Sequence, residues 1–241
     1  MPRCTIVVII ADFCRVVTEK PLPYTIPMTE ERFDVLDCAG RKTGALVGRD
    51  EAHSAGVWHG AFHCLMIYPR AGKGTALFQK RSGHKKIAPG LFDVSVGGHY
   101  AAGEDAAVAG PREVREELGL AVQYSSLVPL GRRIFVYCHQ VGIFEYEFQD
   151  VFLLPVAEPP GELALEAGEV DAVLELDIEE GIALFSGKVA SVHCVHVDDR
   201  RNRTTVPITP ADFVPNSDNY YLKLLLLAQR YMRGDRDLLV I

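Results

Sequence analysis

Between Gly98 and Leu120 the chain carries three glutamates, Glu113, Glu116 and Glu117, spaced i, i+3 and i+4. In a helix this spacing brings all three carboxylates to one face, because residues three and four apart are neighbours there. Like charges so placed repel and weaken a bare helix. A divalent cation removes that penalty, and carboxylate oxygens suit hard ions such as Mg²⁺ or Mn²⁺. The flanks fit a loop followed by a helix: Gly97-Gly98 ends an apolar run, and Gly119 sits where a helix stops. Gly110-Pro111 predicts either a kink or a regular helix that begins near Pro111, since proline is comfortable at a first helical position. Alone, a Glu-x-x-Glu-Glu cluster is also what a solvated helix face shows.

The balance of 32 acidic against 25 basic residues, a net charge of −7, argues against broad nucleic-acid or membrane binding, which needs a positive field. It leaves room for a local basic patch that holds one phosphorylated ligand. The 6 cysteines are scattered without a C-x-x-C pair, so neither a zinc site nor a disulfide framework follows. Reduced, mostly buried thiols in a cytoplasmic protein are expected. At 241 residues the chain holds one large domain with extensions, or two small ones. Near the start, Arg3 precedes a short apolar run and then Pro21, Pro23 and Pro27. The run is too short to span a bilayer and lacks a clear cleavage site. Residues 1–27 therefore read as an N-terminal extension, with Met28-Thr29-Glu30-Glu31 a natural domain start.

From Phe33 onward, strands and turns alternate. Strands are predicted at 33–36, 62–68, 75–79, 91–96, 134–137, 144–154 and 169–176, with a turn at 39–44 and a short helix starting near 178. Tyr221, Leu224, Leu225, Ala228 and Met232 recur at helical spacing and Gly234 closes the run. We expect a domain over 28–200 and a C-terminal extension over 201–241 whose helix packs on it without carrying chemistry. Mixed strands with few helices indicate an α/β or α+β sandwich with a mixed sheet.

Gly98, Glu104, Arg112, Glu113, Val114, Glu116, Glu117, Gly119 and Leu120 fill every specified position of the pattern G-x5-E-x7-R-E-U-x-E-E-x-G-U, where U is a bulky aliphatic residue. The stretch resembles the signature of the Nudix hydrolases. The resemblance implies an α/β/α sandwich, divalent-metal binding by Glu113, Glu116 and Glu117, and an Arg112 that orients Glu113. It implies hydrolysis of a diphosphate linkage in a small molecule, such as a nucleoside diphosphate joined to a second group. One of these carboxylates, or one outside the box, would activate water. The family usually has an alanine or aliphatic residue where this chain has Gly110.

A second resemblance covers about Phe33 to Leu154. His53, Trp58-His59, Arg81, Lys85, Pro89-Gly90, the run from Ser95 to His99, and Glu145-x-Glu147 are similar to type 1 isopentenyl diphosphate isomerases, a branch of the same superfamily. By that similarity His53, His59, His99, Glu145 and Glu147 would form a second metal site favouring a transition metal. Arg81 and Lys85 would hold the diphosphate, and Glu147 or Glu145 would serve as an additional ligand or base. The isomerases need a cysteine for proton transfer where this chain has Gly97, which has no side chain to give or take a proton. Hydrolysis is therefore preferred to isomerisation, and the intact glutamate set favours it over a catalytically silent ligand-sensing domain. A small-molecule diphosphate is the expected partner, without nucleic acid or membrane. The oligomeric state, a homodimer included, is left open.

Overall fold

Along the strand His59–Arg70, Phe62, Cys64, Met66 and Tyr68 point to one face, Leu65 and Ile67 to the other, and all are buried. A strand with both faces buried must lie inside a sheet covered on both sides. The computed structural model, which describes residues 31–140, 142–161, 163–237 and 239–241, shows that arrangement. The expected N-terminal extension and the start at Met28 lie outside the described residues.

In chain order the elements are β1 (Arg32–Leu36), β2 (Lys42–Gly48), α1 (Arg49–Ala55), β3 (His59–Arg70), β4 (Lys73–Arg81), β5 (Phe92–Val94), β6 (Val96–His99) and α2 (Ala106–Leu118). Then come β7 (Val128–Gln140), β8 (Ile143–Pro155), β9 (Val170–Asp177), α3 (Ile178–Phe185), β10 (Val192–Asp198), β11 (Arg203–Ile208) and α4 (Tyr220–Met232). The main sheet runs β11-β10-β9-β4-β3-β8-β7. β3 and β8 pair in parallel and the other pairs are antiparallel, so the sheet is mixed. Val114 and Leu118 of α2 pack on one face with Phe62, Met66 and Leu77. Leu184 of α3 and Tyr221, Leu224 and Leu225 of α4 pack on the other with Leu65, Ile67 and Phe78. This is the expected sandwich.

The site lies where the sheet splits. β3 and β4 pair only from Met66/Leu77 to Arg70/Lys73; beyond that, β4 pairs β5 and β3 pairs β6. Ser95, between β5 and β6, spans the fork: its hydroxyl donates to the Leu77 carbonyl and accepts from the Met66 amide at 2.7 Å. The single strand expected over 91–96 is thus two short ones with different partners.

α2 begins at Ala106, capped by Asp105, whose side chain accepts from the amides of Ala107 and Val108. The regular helix therefore runs through Pro111 instead of beginning there. At Gly110 an added Cβ would sit 2.8 Å from Phe62 Cε2 and 3.1 Å from Leu127 Cδ1, so close packing on β3 leaves no room for the alanine usual in the family. Gly119, at φ +71°, ends the helix with its amide on the Arg115 carbonyl.

The division expected at residue 200 falls inside the β10–β11 hairpin, so the C-terminal segment continues the sheet. Pro207 weakens the strand pattern there because proline suits an edge strand, the position β11 holds. α1 and the β10–β11 hairpin were not foreseen, and β2 begins within the expected turn at 39–44. Of the described cysteines, Cys64 and Cys194 are buried while Cys38 and Cys138 are exposed, so mostly buried thiols hold for only half of them. No helix among the described residues is long and apolar enough to cross a membrane.

Candidate active site

A cleft of about 670 Å³ opens at the fork, with α2 on one wall. Glu113 and Glu117, one helical turn apart, are buried there, whereas the Glu116 side chain is 42% exposed at the rim. Glu113 fits because position 98 is glycine: a Cβ at Gly98 would overlap its carboxyl group. Glu117 accepts hydrogen bonds from the Gly97 amide at 3.0 Å and Gln79 Nε2 at 3.1 Å. Arg112 uses all five of its N–H groups. Nε and Nη2 fork onto Glu104, Nη1 donates to Glu113 at 2.8 Å and Glu116 at 2.9 Å, and Nη2 also reaches the His99 carbonyl. It thereby locks the helix carboxylates to the Glu104 loop and to β6.

Burial pushes Glu117 up to about 8, helped by the charge of Glu113. Burial likewise pushes Glu113 up to about 7 despite Arg112 beside it. Two buried carboxylates that resist ionising together are the arrangement a divalent cation stabilises.

The second group comes from four elements. His53 of α1, His59 of β3, His99 of β6 and Glu147 of β8 bring ligand atoms within 4.8 Å of one another. β3–β8 pairing puts His59 opposite Glu147, and β3–β6 pairing puts His99 opposite Ala61. The ring of Phe33 stacks on His59 and tilts over His99, both at 4.8 Å, closing the group from the β1 side. His59 Nδ1 donates to the Val57 carbonyl at 2.8 Å, so its Nε2 faces the cluster as a lone pair. His59 Nε2 and His53 Nε2 are buried without a hydrogen-bond partner among the described residues. Orphaned buried nitrogens beside a carboxylate fit a metal ion, which would satisfy them. Burial drives His53 down to about 3 and His99 down to about 4, keeping both neutral as metal binding requires. Burial alone would raise Glu147, but the hydrogen bond from His99 helps hold the carboxyl well below the usual range.

The NUDIX domain family profile matches residues 38–191, a span that contains both groups. The chain belongs to the Nudix hydrolases. An uncharacterized Nudix hydrolase of Clostridium acetobutylicum is 31% identical to it over 205 residues, covering 83% of this chain and 98% of that protein. An isopentenyl-diphosphate Delta-isomerase of Mycolicibacterium vanbaalenii is 35% identical over 94 residues, 39% of this chain and 50% of the isomerase. The crystal structure of a Deinococcus radiodurans protein superposes with a TM-score of 0.48 at 21% identity, covering 65% of this chain and 90% of that one.

This Nudix hydrolase holds its other expected site residues in the same cleft, with altered partners. Glu145 stands apart from the four-residue group and instead meets His139 Nε2 at 2.6 Å. Arg81 donates from Nε and Nη2 to the Ile87 carbonyl and approaches Asp93 at 3.6 Å. Lys85 is paired with Glu169. The remaining lining cations also have carboxylates: Arg49 with Glu31, Lys86 with Asp50, and Arg133 with Asp218.

Sequence reasoning passed over His139, Arg133 and the C-terminal segment. His139 and Arg133 stand on the same face of β7, both just outside the strand expected over 134–137. Asn216, Tyr220 and Tyr221 line the cleft, so the C-terminal segment does more than cover the sheet. Tyr220 Oη lies 3.1 Å from His63 Nδ1, and Tyr221 donates to Asp93 at 3.1 Å.

Proposed function

We propose that this Nudix hydrolase cleaves a diphosphate linkage in a small molecule, a nucleoside diphosphate joined to a second group or a related diphosphate, with Mg²⁺ or Mn²⁺ at Glu113, Glu116 and Glu117. The observation that carries the reading is the pair Glu113–Glu117: two buried carboxylates with raised proton affinity, one turn apart, facing one cleft. Bound cations supply charge neutralisation on the phosphate oxygens and the leaving phosphate. Arg112, with every donor engaged inside the protein, orients carboxylates and leaves the substrate to others. The half-exposed position of Glu116 at the rim supports giving it the role of accepting the proton of the attacking water. Arg81 and Lys85 line the cleft where diphosphate oxygens would displace their present partners.

His53, His59, His99 and Glu147 are assigned a second, transition-metal site, Mn²⁺ or Zn²⁺, on the strength of the orphaned ring nitrogens. Both oxygens of Glu147 are engaged, Oε2 by Gln149 and Oε1 by His99, which suits a ligand better than a base. Glu145, two residues away and bonded to His139, is kept as an outlying candidate for the same site.

Isomerisation is disfavoured. A Cβ at Gly97 would meet only ordinary contacts, the nearest His63 Nε2 at 3.7 Å, so there is space for a cysteine but no group to move a proton. The test is Mg²⁺-dependent phosphate release across nucleotide sugars, dinucleotides, nucleoside di- and triphosphates and prenyl diphosphates. Turnover of one class is expected; no turnover of any, with metal-loaded protein, overturns the reading.

A further inference from the structure

Gln149 lies two residues beyond Glu147 on β8, and its side-chain amide joins two charged groups. Oε1 accepts from Arg133 Nη1 at 2.7 Å, and Nε2 donates to Glu147 Oε2 at 2.6 Å. A guanidinium only donates and an ionised carboxylate only accepts, so the amide has one permitted sense. Arg133 is itself held from beyond β8. Asp218, just before α4, takes both its Nε at 2.9 Å and its Nη2 at 2.8 Å. The guanidinium also lies 4.4 Å from the Phe135 ring centre and 3.9 Å from that of Tyr220. The chain Asp218–Arg133–Gln149–Glu147 thus runs from the C-terminal segment to the histidine group. Its effect is to occupy Glu147 Oε2 and leave Oε1 facing His99 at 3.2 Å and His59 at 3.7 Å.

We infer that Asp218, acting through Arg133 and Gln149, fixes Glu147 as a one-oxygen ligand and thereby sets how tightly the histidine group holds a transition metal. The inference rests on the metal role proposed for that group. Without Gln149, Glu147 Oε2 loses its donor and the carboxylate is free to rotate. Without Asp218, Arg133 loses the fork that aims it at Gln149. Asp218, Arg133 and Gln149 are positioning residues, and loss of such an outer partner costs about 10- to 100-fold in metal affinity.

The experiment titrates Mn²⁺ alone, by calorimetry, into the metal-stripped full chain and into the variants Gln149→Leu, Asp218→Ala, Asp218→Asn and His59→Ala. A Mn²⁺ site abolished in His59→Ala identifies the histidine group. At that site Gln149→Leu and Asp218→Ala should raise Kd about 10- to 100-fold, and Asp218→Asn, which keeps one acceptor, by less. Mg²⁺ binding at the Glu113–Glu117 group should be unchanged in the same variants. Asp218 is one-third exposed and asparagine has its shape, so a folded variant is available should the alanine protein not fold. Wild-type Mn²⁺ affinity in Gln149→Leu and Asp218→Asn overturns the inference, as does an equal loss at the Mg²⁺ site, which marks a merely structural role. Absence of any His59-dependent Mn²⁺ site in the wild type refutes the metal role itself, and the inference with it.

Discussion

Glu113, Glu116 and Glu117 come from little more than one turn of α2, whereas His53, His59, His99 and Glu147 come from α1, β3, β6 and β8. The first group keeps its spacing wherever the helix forms; the second exists only once three strands are in register and α1 has closed over them. Their chemistry differs accordingly. The helix group is all carboxylate and reaches solvent at Glu116, which favours hard, partly hydrated cations. The histidine group is largely buried, has one carboxylate among imidazoles, and is roofed by Phe33, which favours softer, more dehydrated ones. On the metal roles proposed above, a single cleft would present two metal preferences, one set by local spacing and one by tertiary assembly.

The contrast can be broken most sharply by Glu117→Gln. We expect activity to fall by more than about 100-fold at saturating Mg²⁺, since losing a metal ligand should exceed the loss of an outer partner. Undiminished turnover would remove the helix group from the chemistry. Next in size, His59→Ala combined with His99→Ala should strip a tightly held transition metal from untagged protein, while Glu116→Gln should leave it in place. Elemental analysis of both proteins decides; equal metal content would merge the two sites into one.

Gly110→Ala measures how firmly α2 is seated. Helix propensity favours alanine by up to about 1 kcal/mol, but overpacking against Phe62 costs about 1–3 kcal/mol. A net drop of a few degrees in melting temperature is expected, and a rise would show that Phe62 yields freely.

The smallest effect is on pH dependence. Glu113 and Glu117 hold their protons more tightly folded than unfolded, at about 7 and about 8, so their contribution to stability is full below the ordinary carboxylate range. It is lost as pH rises through those values. Metal-stripped protein should therefore melt lower at about pH 9 than at about pH 6, and excess Mg²⁺ should flatten the curve. An identical slope with and without Mg²⁺ would show that these carboxylates do not share an ion.

The difference between the groups also explains what could be read beforehand. The helix carboxylates and the closing Gly119 follow a spacing that one helix preserves, so their shared face was legible from the residues, whereas the role of Arg112 entered through the resemblance. The histidines carry no such spacing and entered only through resemblance. Glu145 was expected beside Glu147 only through that resemblance, but β7 brings His139 within its reach. Lys85 was read as a phosphate ligand, and its pairing with Glu169, far along the chain, carried no signal in the sequence. Arg133, Gln149 and Asp218 had no signal at all. Their meaning depends on pairing between β7 and β8 and on where the chain re-enters before α4.

The pairing of every lining cation with a carboxylate bears on the order of events in solution. Among the described residues, a polyanionic substrate that reaches the metal-free cleft meets no cation without a carboxylate partner and several acidic groups, so its capture rate should be low and little helped by lowering ionic strength. Loading with a divalent cation reverses the local field. On the proposed metal role, encounter should then become electrostatically assisted, with a binding order in which cation precedes, or arrives with, the diphosphate.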